Sequence, residues 1–221
     1  PHAAEVALEL FDQGGNDAYW AFVERLDDAR GLERREELEA LTAELGYVEG
    51  NVLDLTYGLG RFWTDHMPDD LTTNDLNPER DAEYRLDWTD TALCVAAWHW
   101  SAFATVVFDP PYKLNGTGGS HASDDGYGVA DASTPAERWC AMVRGVDTAA
   151  ALSSRWLLVK CQDQVVSGRK FWQTDRLTTH LDEQGWRKVD QLLVAGYMPQ
   201  PLGRRQVHAR QDFSSLLVFG V

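Results

Sequence analysis

The chain is short of basic residues: 20 Lys and Arg stand against 35 Asp and Glu in 221 residues, a formal net charge of −15 at pH 7. Taken whole, that balance argues against a surface built to neutralise phosphates. Cysteine is scarce as well. Cys94, Cys140 and Cys161 lie far apart, with no CxxC spacing and no Cys-His cluster. Neither a disulfide framework nor a metal site is therefore expected, and the odd count points to a reducing, cytoplasmic setting. No run of about 18 apolar residues is present to cross a membrane. The opening Pro1-His2-Ala3-Ala4 has neither the basic nor the apolar segment of an export signal, and it does not begin with Met, as a piece of a longer protein would not. Internal repeats are absent. What remains, 44% hydrophobic and 25% charged, is ordinary globular composition with enough chain for one substantial core.

Hydrophobic periodicity organises that chain. Residues 1–46 read as helices, with apolar residues three and four apart around Leu8, Leu10 and Phe11 and again around Trp20, Phe22 and Leu26, broken at Gly14-Gly15 and Gly31. From Val48 the texture changes to short apolar runs that end in turns: Asn51 to Leu55, Asp70 to Asp75 and Thr105 to Phe108, separated by helix-length stretches. Further strands are expected at Trp156 to Lys160, Lys188 to Ala195 and Ser214 to Val221, with helices at Pro135 to Leu152 and Phe171 to Gln184. Leu114 to Ser133, rich in Gly, Ser and Asp, reads as a long loop. Strand and helix alternating in this way predict an α/β fold: a doubly wound, Rossmann-like sheet, mostly parallel, with an antiparallel C-terminal strand. The expectation is a single domain over 1–221, in which 1–46 is a helical appendage and 47–221 the core.

Two constellations carry chemistry. In Asp54-Leu55-Thr56-Tyr57-Gly58-Leu59-Gly60 the glycines follow a buried strand, where the backbone of a doubly wound sheet approaches its ligand, and Asp75, about 20 residues on, suits ribose hydroxyls. The third glycine of the dinucleotide fingerprint is missing, with Trp63 in its place, and the same turn also serves α/β proteins that hold no ligand there. Asp109-Pro110-Pro111-Tyr112 is more specific. It follows Val106-Val107-Phe108 at the carboxyl edge of the sheet, and within four residues it offers a carboxylate, a carbonyl beside a residue with no N–H, and an aromatic ring. Together these suit a planar amine, although a stiff turn is the plainer alternative.

With these motifs in this order and about 50 residues apart, Asn51 to Val221 resembles the class I S-adenosylmethionine-dependent amino-methyltransferases, which methylate exocyclic amines of nucleobases. The resemblance implies S-adenosyl-L-methionine as cofactor, with Asp54, Thr56, Gly58 and Gly60 forming the loop at its methionine end, Asp75 at the ribose, and Asp87 with Trp88 at the adenine end. It makes Asp109, Pro110, Pro111 and Tyr112 the catalytic tetrad. Asp in the first position is more similar to the enzymes acting on adenine N6 of DNA than to those acting on cytosine N4. Adenine in RNA and a protein amide are the neighbouring substrates, and a catalytically silent nucleic-acid-binding subunit is the alternative of a different class. Thr56-Tyr57 departs from the family's usual pattern, the auxiliary motif is assigned only to Phe11–Phe22, and no separate target-recognition domain is visible. Recognition is thus left to a homodimer or a partner subunit.

The chemistry implied is activation of a poor nucleophile. An aromatic amine delocalises its lone pair into the ring; hydrogen bonds from its two N–H groups to Asp109 and the Pro110 carbonyl would localise it, and Tyr112 would stack on the base, worth about 1–3 kcal/mol. DNA contacts are expected from Lys160, Arg169, Lys170 and Trp172 on the same edge, and from Arg204, Arg205, His208 and Arg210 between the last two strands. Gln162 and Gln164 are either readers of base edges or loop polars. The charge is divided accordingly: 1–150 holds 10 Lys and Arg against 29 Asp and Glu, whereas 151–221 holds 10 against 6. Replacing Arg204, Arg205 and Arg210 together by Gln is therefore expected to weaken DNA binding and flatten its dependence on salt, measured as Kd across a salt series; an unchanged slope would restore the inference from total charge.

Overall fold

The structure is a computed structural model that describes residues 41–63, 66–98, 103–114, 134–195 and 213–221. The expectations for 1–40, including Phe11–Phe22, for most of the 114–133 loop, and for Arg204, Arg205, His208 and Arg210 lie outside the described residues.

The described residues form eight strands: β1 (Val52–Asp54), β2 (Leu71–Thr73), β3 (Phe103–Phe108), β4 (Ser153–Cys161), β5 (Gln164–Val166), β6 (Arg169–Phe171), β7 (Arg187–Ala195) and β8 (Phe213–Gly220). Six of them form one sheet in the order β2-β1-β3-β4-β8-β7. The pairs β1–β2, β1–β3 and β3–β4 are parallel, and β8 runs antiparallel to both β4 and β7. The expected architecture, a mostly parallel sheet with an antiparallel final strand, is what the chain adopts. Strands β5 and β6 form a separate two-stranded ribbon, unforeseen in the sequence because three-residue strands carry almost no periodicity. Its turn, Ser167-Gly168, has both residues at positive φ, 49° and 76°, as the tight hairpin turns that match strand twist require.

The apolar runs of the strands have a structural cause. Successive side chains point to opposite faces. Leu53, Val106, Phe108, Leu157, Val159, Leu217 and Phe219 enter one buried cluster, and the alternating Val52, Val107, Leu158, Leu216 and Val218 enter another. Both faces are thus dry, which is why these strands are continuously hydrophobic rather than alternating. Against the first face pack the helices α1 (Thr91–Ala97), α2 (Pro135–Leu152) and α3 (Gln173–Glu183), through Cys94 and Val95, through Met142, Val146 and Ala149, and through Leu177 and Leu181. Among the described residues the second face is covered by Tyr47, Val48, Phe62 and Trp63. Helix α2 begins on a reciprocal cap between Thr134 and Glu137, with Pro135 in the first turn, where its missing N–H costs nothing.

The β1–β2 connection differs from the expected helix. Its described part is a single 3-10 turn, Arg61–Trp63. Gly58 and Gly60 at positive φ hold the chain in a tight turn before it, and Pro68 follows, so little length is left for a helix; Phe62 and Trp63 cover the sheet instead.

Helix α2 crosses β3 closely at Gly145, where an added Cβ would overlap the rings of Phe108 and Trp88, 2.5 Å from the latter. Gly145→Ala gains up to about 1 kcal/mol of helix propensity and loses about 1–3 kcal/mol to overpacking of two buried aromatics. The net expectation is a lower thermal midpoint; a raised one would show that the crossing is loose.

Candidate active site

The register of the sheet lines up the site. Asp54 pairs with Thr73 of β2 and Val107 of β3, and Phe108 pairs with Val159 of β4. The residues just past these strand ends, Asp75 and Asp109, and the penultimate residue of β4, Lys160, therefore meet Asp54 at one carboxyl edge.

Asp54 is almost fully buried and accepts hydrogen bonds from the Thr56 N–H (2.9 Å) and the Trp63 indole Nε1–H (2.8 Å). Trp63, standing where a third glycine would, has a polar duty that its sequence position did not disclose. Burial pushes the Asp54 carboxyl up to about 7, with the neighbouring Asp109 and Asp75 charges adding to the rise and the two hydrogen bonds opposing it. Asp75 accepts from the Gly58 N–H (2.7 Å) and the Asn77 N–H (2.8 Å), which fixes the glycine turn against the end of β2. Gly60, at φ 66°, leaves room for the Tyr57 ring, since a Cβ there would sit 2.7 Å from the phenol oxygen. Asn74, fully buried, donates to the Leu55 and Leu86 carbonyls and accepts from the Leu86 N–H, drawing the Asp87-Trp88 segment towards the end of β1. Of that pair, Asp87 is exposed and accepts from the Thr89 N–H and hydroxyl, whereas the Trp88 ring is in the core, edge-on to Phe108 at 5.3 Å.

One hydrogen bond links the two motifs: the Asp109 N–H donates to the Thr56 hydroxyl at 2.7 Å. Thr56, a departure from the family pattern at the sequence level, is thus the joint between the glycine turn and the tetrad. Asp109 and Pro110 are buried, Pro111 and Tyr112 half-buried, and Tyr112 packs on the main core cluster. The Tyr112 carbonyl accepts from Gln164 Nε2 and from Gln173 Nε2 (2.8 Å), while Gln164 Oε1 accepts from the Leu114 N–H. Gln162 Nε2 donates to the Phe213 carbonyl. Gln162 and Gln164 are thereby loop polars, and Gln173, fully buried, is a clamp on the tetrad that its place in a helical stretch concealed.

The expected DNA contacts divide. Lys160 requires correction: its side chain is 3% exposed and its Nζ donates to Asp109 Oδ2 at 2.8 Å, so it faces the tetrad and is out of reach of a phosphate. Arg169 is exposed on the ribbon, and Lys170 Nζ lies 5.1 Å from the ring centre of Trp172, which is 48% exposed and immediately precedes Gln173. Among the described residues no helix is long and apolar enough to cross a membrane, and no group of His, Cys, Asp and Glu is arranged to hold a metal ion.

No protein-family model matches the chain, and no curated protein matches it in sequence. Solved structures do resemble it. A SAM dependent methyltransferase from Archaeoglobus fulgidus is 10% identical, with 84% of this chain and 94% of that one covered and a TM-score of 0.46. Magnesium protoporphyrin IX methyltransferase from Synechocystis PCC 6803 with bound SAH is 11% identical over 84% and 80%, with a TM-score of 0.45. A SAM-dependent methyltransferase from Leishmania major is 11% identical over 98% and 82%, also at 0.45. These are likenesses of chain path.

The raised Asp54 carboxyl makes a signed prediction. A carboxyl that is harder to ionise folded than unfolded contributes stability that is full below its unfolded value near 4 and is lost as pH rises through about 7. Unfolding free energies from urea titrations should fall across that window by on the order of 1 kcal/mol per pH unit, and Asp54→Asn should remove that slope whatever it does to absolute stability. A difference between wild type and variant that is constant from pH 4 to 8 would refute the assignment.

Proposed function

We propose that this chain is an S-adenosylmethionine-dependent methyltransferase acting on the exocyclic N6 amine of adenine in DNA. The observation that carries the reading is the Asp109 N–H to Thr56 hydrogen bond, because it brings a glycine turn suited to a cofactor and a tetrad suited to a planar amine to one edge of the sheet. Group transfer requires such contiguity, and orientation alone supplies much of the acceleration.

The site's own charges favour this cofactor over a dinucleotide. Asp54, Asp75 and Asp109 crowd one corner closely enough that two of them raise the carboxyl of the third. Pyrophosphate would meet like charge there, and the 3-10 turn after the glycines offers no long helix N-terminus to offset it. A ligand with a sulfonium and an ammonium group is matched to that corner. Asp54, Thr56, Gly58 and Gly60 would line its methionine end and Asp75 its ribose. Trp88 would shape the adenine end from beneath, through the core, while Asp87 lies at the surface. When bound, S-adenosylmethionine supplies an electrophilic methyl group on sulfur.

The chain's part is to prepare the acceptor. Asp109 Oδ and the Pro110 carbonyl accept the two amine N–H groups, which localises the nitrogen lone pair, and Asp109 receives the proton that the nitrogen sheds once substituted. Tyr112, its main chain clamped by Gln164 and Gln173, presents its ring to the base. Stacking at about 1–3 kcal/mol is comparable with the few kcal/mol that extruding a base costs, so phosphate contacts must tip the balance. Lys113, Arg169 and Arg176 are exposed around the tetrad and the ribbon, with the Lys170–Trp172 pair beside them, and they are suited to that role.

Incubating the protein with methyl-labelled S-adenosylmethionine and unmethylated DNA, followed by digestion to nucleosides, is expected to place label in N6-methyladenine. Label in N4-methylcytosine, in RNA alone or in protein glutamine would replace the substrate assigned, and no transfer despite cofactor binding would favour a silent subunit.

A further inference from the structure

The buried ion pair between Lys160 and Asp109 has no place in the amine chemistry as described, and it ties the tetrad to β4. The register explains it. Phe108 and Val159 are partners on adjacent parallel strands, so Asp109 and Lys160 follow as the next pair and project from the same face. Both side chains are withdrawn from solvent, at 3% and 9% exposure, and the Nζ–Oδ2 distance is 2.8 Å, within the range of a charge-assisted hydrogen bond. The same ammonium stands 6.0 Å from the Tyr112 ring centre. One cation therefore faces both the acceptor and the stacking element of the tetrad.

We propose that Lys160 is a positioning residue for the methyl-transfer reaction: it fixes the rotation of the Asp109 carboxylate so that the carboxylate meets the amine N–H in the plane of the base. This rests on the reading of the tetrad given above. A carboxylate has about four acceptor directions and turns freely about its last torsion; anchoring Oδ2 from the β4 side leaves the group one orientation towards the ligand edge. Lysine suits the task because its single ammonium sits at the end of a long stem that runs inward from β4, whereas the planar fork of arginine would seek both oxygens. The surface-contact role expected of Lys160 makes different predictions, since a lysine on phosphate alters DNA affinity and its salt slope, and a lysine on Asp109 alters the handling of the amine.

Two measurements on the full chain separate these roles. The first is the binding preference, without cofactor, for an oligonucleotide containing adenine over one in which purine, lacking the 6-amine, replaces it. Wild type should prefer the amine; Lys160→Met should lose most of that preference, and Lys160→Arg should recover part of it. The second is steady-state methylation. Lys160→Met should lower kcat by about a hundredfold, as expected when a reacting group is displaced by roughly an ångström. The salt slope should stay that of wild type, and KM for DNA should rise by no more than the amine preference that is lost. Because Lys160→Met leaves a carboxylate buried without its cation, the neutral pair Asp109→Asn with Lys160→Met is included: it should be no slower than Asp109→Asn alone. A preserved amine preference in Lys160→Met, a salt slope reduced by about one with kcat intact, or a further large loss in the neutral pair would each overturn the positioning role. A wild type with no amine preference would instead overturn the adenine reading on which the role depends.

Discussion

Three carboxyl groups are forced together at the carboxyl edge of this sheet, and most of the local structure answers that constraint. Asp54, Asp75 and Asp109 are all buried. Isolated charges in such a place cost several kcal/mol each, so each group is supplied with donors: Thr56 N–H and the Trp63 indole for Asp54, Gly58 and Asn77 N–H groups for Asp75, and the Lys160 ammonium for Asp109. The distribution is uneven. Asp109 has a full cation and Asp54 only neutral donors, and it is Asp54 whose carboxyl is driven up to about 7. The corner is electrostatically incomplete on the Asp54 side, which is the side the glycine turn faces.

The same donors make the site a rigid unit. Thr56 ties the glycine turn to β3, Asp75 ties it to β2, and Gln164 and Gln173 hold the Tyr112 carbonyl from the ribbon and from the start of α3. Asp163, which accepts from the Thr174 N–H and hydroxyl, caps that helix start and so fixes Gln173 in turn. The end of β2, the ribbon and the start of α3 thus converge on the turn and the tetrad through hydrogen bonds between side chains and backbone. A loop held in this way keeps its geometry even though its surface is polar.

The sheet was legible because a buried parallel strand leaves a short apolar run with an abrupt end, and Val52, Val106 and Leu158 sit in such runs. The turn after β3 was legible because Asp109-Pro110-Pro111 follows an apolar run and the prolines lack the N–H groups a ladder needs; its chemical role belongs to the proposed function. Contacts made across strands were not. Lys160 reads as a basic residue after a strand; that it turns inward follows only from the Phe108–Val159 register, which periodicity does not contain. Trp63 read as a missing glycine, although it is a hydrogen-bond donor nine residues from its acceptor. Gln173 lies in a helical pattern where a buried amide gives no signal. The β5–β6 ribbon is too short for a period of two to show.

The total charge of −15 is a sum over the sequence and carries no positions. At physiological ionic strength the field of an exposed charge is damped over about 8 Å, so a ligand at the carboxyl edge responds mainly to the groups around it. Those groups include Lys113 beside the tetrad, Arg169 and Lys170 on the ribbon and Arg176 on α3, with the Lys170 and Arg176 cations lying over the Trp172 and Phe171 rings. An aromatic face carrying a cation is a surface on which a base can stack while its phosphate is neutralised. Under the proposed function, that local rim and not the total charge is what a polyanion approaching this edge would meet first.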